Sequence, residues 1–98
     1  MSEKVYSLDE IKAIAAPLAR QYGVAALYLF GSYARGEATS QSDLDFLVDR
    51  TGMEDLLALG GLYSDLEKSF DKPLDVLTAQ MLSEDFRNAI QNEAIRLL

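Results

Sequence analysis

Residues 31–48 read G-S-Y-A-R-G-E-A-T-S-Q-S-D-L-D-F-L-V, and this stretch decides how the rest of the chain is arranged. The apolar run over residues 24–30 leads into it and stops at a Gly-Ser pair, a pattern typical of a buried strand that ends in a tight turn. After a polar loop, acidic and apolar residues alternate. Because side chains two residues apart in a strand share a face, Asp43 and Asp45 are predicted to lie side by side. The opposite face would carry Leu44, Phe46 and Val48.

The residue types in this stretch suit phosphate and metal chemistry. Neighbouring carboxylates repel each other unless a cation lies between them, and Mg²⁺ prefers oxygen ligands. The chain has no cysteine and no histidine, which excludes thiolate sites, histidine-ligated zinc and histidine acid–base catalysis. Gly31 and Ser32 offer backbone N–H groups and a hydroxyl at a strand end, where phosphate oxygens can bind. A phosphate cradle beside a carboxylate metal site indicates phosphoryl or nucleotidyl transfer.

The segment resembles the signature of the DNA polymerase beta-type nucleotidyltransferase superfamily, in which Gly-Ser is followed after a short loop by Asp-x-Asp. Its fuller form, G-S-Y-A-R-G-E-A-T-S-Q-S-D-L-D, is similar to the minimal nucleotidyltransferase (MNT) branch, which includes the antitoxins that pair with HEPN-domain toxins. The resemblance is dense over residues 24–50. The short length and the order of elements extend it to the whole chain.

The resemblance implies a set of site residues. They are Gly31, Ser32, Arg35 and Ser42 for the nucleotide, and Asp43, Asp45 and Asp75 for catalysis and metal binding. Asp75 is the candidate third carboxylate because the family takes it from a strand paired beside the first two, and its parity in the predicted strand fits. The implied ligands are Mg²⁺, as two ions, and ATP as the substrate. The ordinary alternative for all three carboxylates is a solvent-facing position on a half-buried strand.

The other site residues also have ordinary structural alternatives. Arg35 could pair with Glu37 at the surface, which is the commoner fate of such a side chain. Ser32 could cap a short helix that begins at the turn. Ser42 is expected to fix the loop or the start of the strand even if it lies beside the nucleotide. Tyr33 is expected to pack rather than to stack on a base.

Length and composition limit the classes of protein. The 98 residues are predicted to form one domain, 1–98. The formal net charge is −7 and the nine Lys and Arg residues are scattered, so no basic patch for direct nucleic-acid binding is expected. The polar N-terminus and the lack of a long apolar run predict no signal peptide and no membrane contact, which favours a cytoplasmic location.

Periodicity predicts the order of the elements. A capping box at Ser7 and Glu10 begins a helix that continues to about Tyr22, and Pro17 should kink or divide it near Ala16. The other predicted elements are strands at 24–30, 44–49 and 74–77, helices at 53–70 and 84–94, and a short edge strand at 95–98. This order predicts an α/β (α+β) fold, a small mixed β-sheet with helices packed on one face. The resemblance implies that it is the polymerase beta-like nucleotidyltransferase fold.

The helix at 53–70 is predicted to be the second large contributor to the core. Its inward residues would be Leu56, Leu57, Leu59, Tyr63, Leu66 and Phe70. The pair Gly60-Gly61 would weaken the helix and permit either close packing or a break. Contacts with a partner are expected from apolar residues away from the carboxylates, either near the C-terminus or on the outer side of this helix. The candidates are Ile95, Leu97 and Leu98, or Leu62 and Tyr63.

The function predicted from these observations is Mg²⁺-dependent transfer of AMP from ATP to a hydroxyl group. A chain of this length has no room for a separate acceptor domain, so the acceptor is expected to be a partner protein. The resemblance implies that this partner is a HEPN-domain toxin, an RNase that adenylylation of a side-chain hydroxyl inactivates. Two alternatives remain open: a non-catalytic antitoxin that acts by stoichiometric binding, and a nucleotidyltransferase for a small molecule such as an aminoglycoside.

Overall fold

The computed structural model describes residues 4–49 and 56–98, and those residues contain four α-helices and one four-stranded sheet. In chain order the elements are α1 (Leu8–Gln21), β1 (Ala26–Phe30), α2 (Gly31–Arg35), β2 (Leu44–Asp49), α3 (Leu56–Ser69), β3 (Leu74–Thr78), α4 (Glu84–Gln91) and β4 (Ile95–Arg96). A 3-10 turn, Ala79–Met81, links β3 to α4. The predicted fold class, a small mixed sheet with packed helices, is confirmed. The predicted beginning of the third helix at Met53 lies outside the described residues.

The sheet has the strand order β3-β2-β1-β4. Strand β1 is antiparallel to both β2 and β4, whereas β2 and β3 run parallel. The register places Phe30 opposite Asp45, and Asp45 opposite Asp75, so these three residues form a row across the sheet. Gly31 follows Phe30 directly, and the turn therefore begins beside Asp45.

Helix α1 is one uninterrupted element that contains Pro17. Its predicted capping box is confirmed: the Glu10 N–H donates to Ser7 Oγ at 3.1 Å, and the Ser7 N–H donates to Glu10 Oε1 at 3.0 Å. Pro17 does not divide the helix at Ala16. Both Pro17 and Ala13, four residues earlier, are exposed, so water can reach the carbonyl that lacks its usual N–H donor.

The core lies between the sheet and the pair α1 and α3. Leu44, Phe46 and Val48 point into it with no exposed surface, as the alternation in the sequence predicts. From β1, Leu27 and Leu29 join them, also fully buried. The opposite face of the sheet carries Asp45 and Asp75, together with the buried Leu47.

The face of α3 that packs on this core is the predicted one at Leu59, Leu66 and Phe70, whereas the predictions for Leu57 and Leu62 were wrong. Leu62, which was expected on the outer side, is fully buried, and so are Leu66 and Phe70. Leu57, expected inside, is 84% exposed. The sequence pattern could not show which of Leu57 and Leu62 faces the core, because the glycines at positions 60 and 61 have no side chains. A Cβ at Gly61 would lie 2.8 Å from a ring carbon of Tyr22, so the glycine permits close packing of α3 against α1.

The predicted partner surfaces are in part wrong. Leu97 is only 4% exposed and belongs to the core, as does Leu62, so neither is available to a partner. Tyr63, another of the candidates, is 38% exposed, and Met81 and Phe86, which follow β3, are exposed at 70% and 45%. Within the described ranges, no helix combines the length and the apolar content that crossing a bilayer requires.

Candidate active site

Asp45 and Asp75 are register partners on the parallel strands β2 and β3, so their side chains leave the same face of the sheet. Asp43 lies two residues before Asp45, just ahead of the first residue of β2. Asp45 is half-buried, whereas Asp43 and Asp75 are exposed. The parity predicted for Asp75 is therefore confirmed, and Asp45 and Asp75 lie on the side of the sheet that faces away from the core.

The surroundings of Asp45 disfavour its charged form. Burial raises the pKa of the Asp45 carboxyl above its ordinary value, and the negative charges of Asp75 and Asp43 raise it further. The Arg35 guanidinium lowers this pKa, and Glu93 adds another raising contribution. Repulsion among carboxylates is the condition that a bound cation relieves.

Gly31 and the Asp45 carboxylate are in direct contact. The backbone of Gly31 has a φ of 76°, in the region that L side chains rarely adopt. A Cβ at this position would also overlap with Oδ2 of Asp45. From the sequence, the glycine at this position is expected to let a phosphate approach the backbone closely. The structure gives a second reason for a glycine here: the carboxylate of Asp45, a predicted catalytic residue, occupies the space that a side chain would need.

Glu93 completes the turn, and sequence reasoning missed it. The Gly31 N–H donates to Glu93 Oε2 at 2.7 Å, although the two residues are 62 positions apart. This N–H was predicted to serve a phosphate oxygen, and in this structure it serves a carboxylate instead. Nothing in the sequence distinguishes Glu93 from the other acidic residues near the C-terminus, because its role depends on a turn that brings it to the far end of β1.

Arg35 is held by two carboxylates. Its Nε donates to Glu37 Oε1 at 2.7 Å, and its Nη1 donates to Glu93 Oε2 at 3.1 Å. These carboxylates raise the pKa of the Arg35 guanidinium, with the Glu37 hydrogen bond as the main cause. The surface pair with Glu37 that the sequence left open is therefore formed. It leaves the guanidinium at the rim of the site, next to the Gly31 turn.

The remaining predicted residues lie around this turn. Helix α2 has no side-chain N-cap, so the Ser32 hydroxyl does not cap it. Ser42 fixes the loop as expected: its Oγ accepts from the Thr39 N–H at 2.9 Å. Tyr33 is 4% exposed, which confirms packing, and its hydroxyl accepts from Lys72 Nζ at 2.7 Å.

An open cleft of about 640 Å³ lies next to Asp43. The loop 40–43 forms one wall, and the other comes from the end of α3 and the segment that leads to β3, with Glu67, Asp71, Lys72 and Pro73. Its volume falls in the range of small-molecule sites. Asp43 itself lines the cleft, so a polar ligand bound there could contact its carboxylate directly.

The chemistry of the donors fits a hard cation. Across residues 4–49 and 56–98, no three acidic side chains already converge into a metal-binding group. The carboxylates of Asp43, Asp45 and Asp75 are nevertheless of the ligand type that Mg²⁺ prefers. Burial first, and then the charges of Asp75 and Asp43, raise the pKa of Asp45. The residues present therefore suit Mg²⁺, with the cation offsetting this repulsion.

Comparison with known sequences identifies relatives of the whole chain. A family model described as "Nucleotidyltransferase domain" matches residues 11–97. A protein of Methanocaldococcus jannaschii, provisionally named a protein adenylyltransferase, is 37% identical over 92 residues, covering 94% of this chain and 99% of that protein. Protein adenylyltransferase MntA of Thermococcus cleftensis is 31% identical over 93 residues, covering 91% of this chain and 94% of that protein.

Solved structures share the arrangement of elements. A protein provisionally described as a minimal nucleotidyltransferase superposes with a TM-score of 0.79 and 32% identity, covering 90% of each chain. A chain from a mutant form of the toxin–antitoxin pair MntA–HpeT superposes with a TM-score of 0.69 and 26% identity. That alignment covers 85% of this chain and 68% of the other.

Proposed function

The chain belongs to the nucleotidyltransferase domain family, and from that premise we propose that it is a Mg²⁺-dependent protein adenylyltransferase that modifies a HEPN-domain toxin. The resemblance to minimal nucleotidyltransferases noted in residues 31–48 is confirmed by the same match. One observation carries the proposal furthest: the register pairs Asp45 with Asp75 directly beside the Gly31 turn.

The triphosphate of ATP would bind at the turn and at the rim of the site. Because the Gly31 N–H donates to Glu93, the phosphate donors next along the chain are the N–H and hydroxyl of Ser32. Arg35 lies beside them and carries a positive charge at any physiological pH. Ser42 would act indirectly, by holding the loop through Thr39. Names of the relatives as adenylyltransferases support ATP as the nucleotide.

Asp43, Asp45 and Asp75 would hold the metal ions. When bound, Mg²⁺ would neutralise charge on the phosphates and lower the pKa of the attacking hydroxyl. The carboxylates supply the oxygen ligands, and the contact between Gly31 and Asp45 fixes the position of one of them relative to the turn. This arrangement would align the reacting groups before the chemical step.

The transfer conserves atoms and charge. The acceptor oxygen forms a bond to the α phosphorus of ATP, the bond from that phosphorus to the β-phosphate bridging oxygen breaks, and pyrophosphate leaves with the bonding electrons. The proton of the acceptor hydroxyl passes to a base. Asp75 is exposed and lies beside Asp45, so it can take this proton if metal ligation leaves one of its oxygens available.

A protein acceptor accounts best for the relatives. The M. jannaschii and T. cleftensis proteins are named for adenylyl transfer to protein, and each aligns along nearly its whole length. The MntA–HpeT structure belongs to a toxin–antitoxin pair. The open cleft beside Asp43 leaves room for an acceptor side chain to approach this carboxylate from solvent.

The direct test is incubation with ATP, Mg²⁺ and the candidate HEPN-domain partner, followed by intact-mass measurement of both proteins. We expect the partner to gain the mass of one or more AMP units, and we expect a chelator to stop the gain. A partner that is bound and neutralised without any gain of mass would contradict the proposal and would favour the stoichiometric antitoxin.

A further inference from the structure

We propose that Glu93 is a positioning residue for nucleotide binding: its carboxylate holds the Gly31 turn and Arg35 in the geometry that the triphosphate needs. This inference rests on the proposed function, and it concerns a residue that neither the sequence motif nor the similarity to known proteins assigns. One oxygen, Oε2, accepts from both the Gly31 N–H at 2.7 Å and Arg35 Nη1 at 3.1 Å.

The turn needs an anchor from outside. Gly31 has no side chain of its own, it adopts a φ of 76°, and the Asp45 carboxylate occupies the space that a Cβ would need. Helix α2 begins at this residue and has no side-chain cap within its own segment. The first N–H of such a helix lacks a partner inside the helix, and Glu93 supplies one.

Glu93 can act as an anchor because its own backbone is fixed. Its N–H donates to the carbonyl of Ile90 at 2.9 Å, and Ile90 is 5% exposed. Two residues later β4 begins, and Ile95 pairs with Leu29 of β1. Strand β1 ends at the residue before Gly31, so the same strand fixes both the anchor and the turn that it holds.

The contact also aims Arg35. Glu37 binds Nε and Glu93 binds Nη1, so two carboxylates on different segments fix the plane of the guanidinium. The Glu93 side chain is only 29% exposed, which restricts the directions from which it can bind. A guanidinium with a fixed plane loses less freedom when it binds a phosphate, and this lowers the cost of binding.

The same geometry is also compatible with competition between Glu93 and the nucleotide. In that case the Glu93 carboxylate would have to leave the Gly31 N–H and Arg35 before a phosphate could bind them. The two ideas predict opposite results. A positioning residue makes ATP binding weaker when it is removed, whereas a competitor makes ATP binding tighter. Glu93 contacts Gly31 through the first N–H of the turn and leaves the Ser32 N–H outside that contact, which favours positioning.

The experiment compares Glu93→Ala and Glu93→Gln with the wild type, using ATP and Mg²⁺ as the probe. Glutamine keeps an acceptor for the Gly31 N–H and loses the charge, and alanine loses both. Glu84→Gln is the matched control, because it removes one negative charge from an exposed position on the neighbouring helix α4. The measurements are the Kd for ATP by calorimetry, kcat and KM for partner modification, and hydrogen exchange of the Gly31 amide by NMR.

We expect Glu93→Ala to raise the Kd and the KM for ATP by about tenfold, in the range seen when an outer supporting group is removed from a site. Exchange of the Gly31 amide should accelerate by a similar factor. Glu93→Gln should recover much of the slow exchange and part of the affinity, and Glu84→Gln should match the wild type. A general loss of structure would instead accelerate exchange throughout β1.

Two results would overturn the inference: unchanged Kd and KM in Glu93→Ala, or tighter ATP binding in either Glu93 variant, which would assign the competitor role. Failure of the proposed function would look different. The wild type itself would then bind no ATP, while Glu93→Ala would still accelerate exchange of the Gly31 amide.

Discussion

The Asp45 carboxylate and the Cα of Gly31 occupy adjoining space so closely that position 31 cannot carry a side chain while Asp45 keeps its place. Gly31, the predicted turn residue, and Asp45, the predicted metal ligand, therefore restrict each other sterically. A side chain introduced at position 31 would therefore also displace the Asp45 carboxylate.

Gly31→Ala should lose both stability and nucleotide binding. A second glycine, Gly36, has a similar φ of 75°, but a Cβ there would meet no described atom within 4 Å. Gly36→Ala therefore measures the backbone cost alone, which is about 1–2 kcal/mol and corresponds to a fall in Tm of roughly 4–15 °C for a domain of this size. Gly31→Ala should fall clearly further. Equal falls in thermal unfolding would show that the contact with Asp45 carries no energy.

Asp45→Asn should make the metal-free protein more stable while it abolishes transfer. The folded state raises the pKa of Asp45, so it binds this proton more tightly than the unfolded chain does. The Asp45 carboxyl therefore makes its full contribution to stability when the pH is below its pKa in the unfolded chain. This contribution is lost as the pH rises through its pKa in the folded protein. At neutral pH the amide should raise the Tm by about 2–4 °C, a modest figure because the carboxyl is partly solvated.

The pH dependence of the difference in Tm between Asp45→Asn and the wild type provides an internal control. The gap between the two Tm values should narrow as the pH falls below the ordinary range of an aspartate, because both proteins are then neutral at position 45. ATP with Mg²⁺ should stabilise the wild type and leave the variant unchanged. A gap that widens in acid would have the wrong sign for a raised pKa.

Binding of the partner and its modification should be separable. The double variant with Asp43→Asn and Asp45→Asn should fold, should co-purify with the partner and should lower the transfer rate at least ~100-fold, since even outer-shell changes cost 10–100-fold in comparable sites. Co-expression with the toxin measures the consequence. If this variant protects cells as well as the wild type does, neutralisation depends on binding and the proposed biological role of the chemistry is wrong.

The two leucines at the start and middle of α3 should respond differently to truncation. Leu62 is fully buried and Leu57 is 84% exposed. Leu62→Ala should cost about 2–5 kcal/mol, whereas Leu57→Ala should stay within about 0.5 kcal/mol of the wild type. Denaturant unfolding of both variants checks the phase of the helix. Similar losses would restore the inward position that the sequence pattern assigned to Leu57.

The sequence was informative where a local pattern fixes the structure. The alternation of Leu44, Asp45 and Phe46 has one consistent reading, because a half-buried strand must separate acidic from apolar side chains. The capping box at Ser7 and Glu10 was equally local. The position of Asp75 could be predicted by parity, and the structure adds its pairing with Asp45.

What could not be predicted depends on contacts between distant segments. The Gly60-Gly61 pair has no side chains that could indicate the inward position of Leu62, which depends on the close packing of Gly61 against Tyr22. Glu93 gains its role only when the turn after α4 meets the end of β1. No spacing rule connects residues that lie 62 positions apart.

The edge of strand β1 that pairs with β4 bears on the tendency of the protein to aggregate. Its sequence, A-L-Y-L-F, is apolar, and on one side it pairs with only two residues of β4, Ile95 and Arg96. The backbone of Leu27 extends this cover by bonding to Leu97 and Leu98, and the Arg96 guanidinium lies 5.9 Å from the ring centroid of Tyr28. Apolar strands with an open edge recruit strands from other molecules. Residues 95–98 cover this edge of β1, and we expect a change that loosens them to appear first as aggregation.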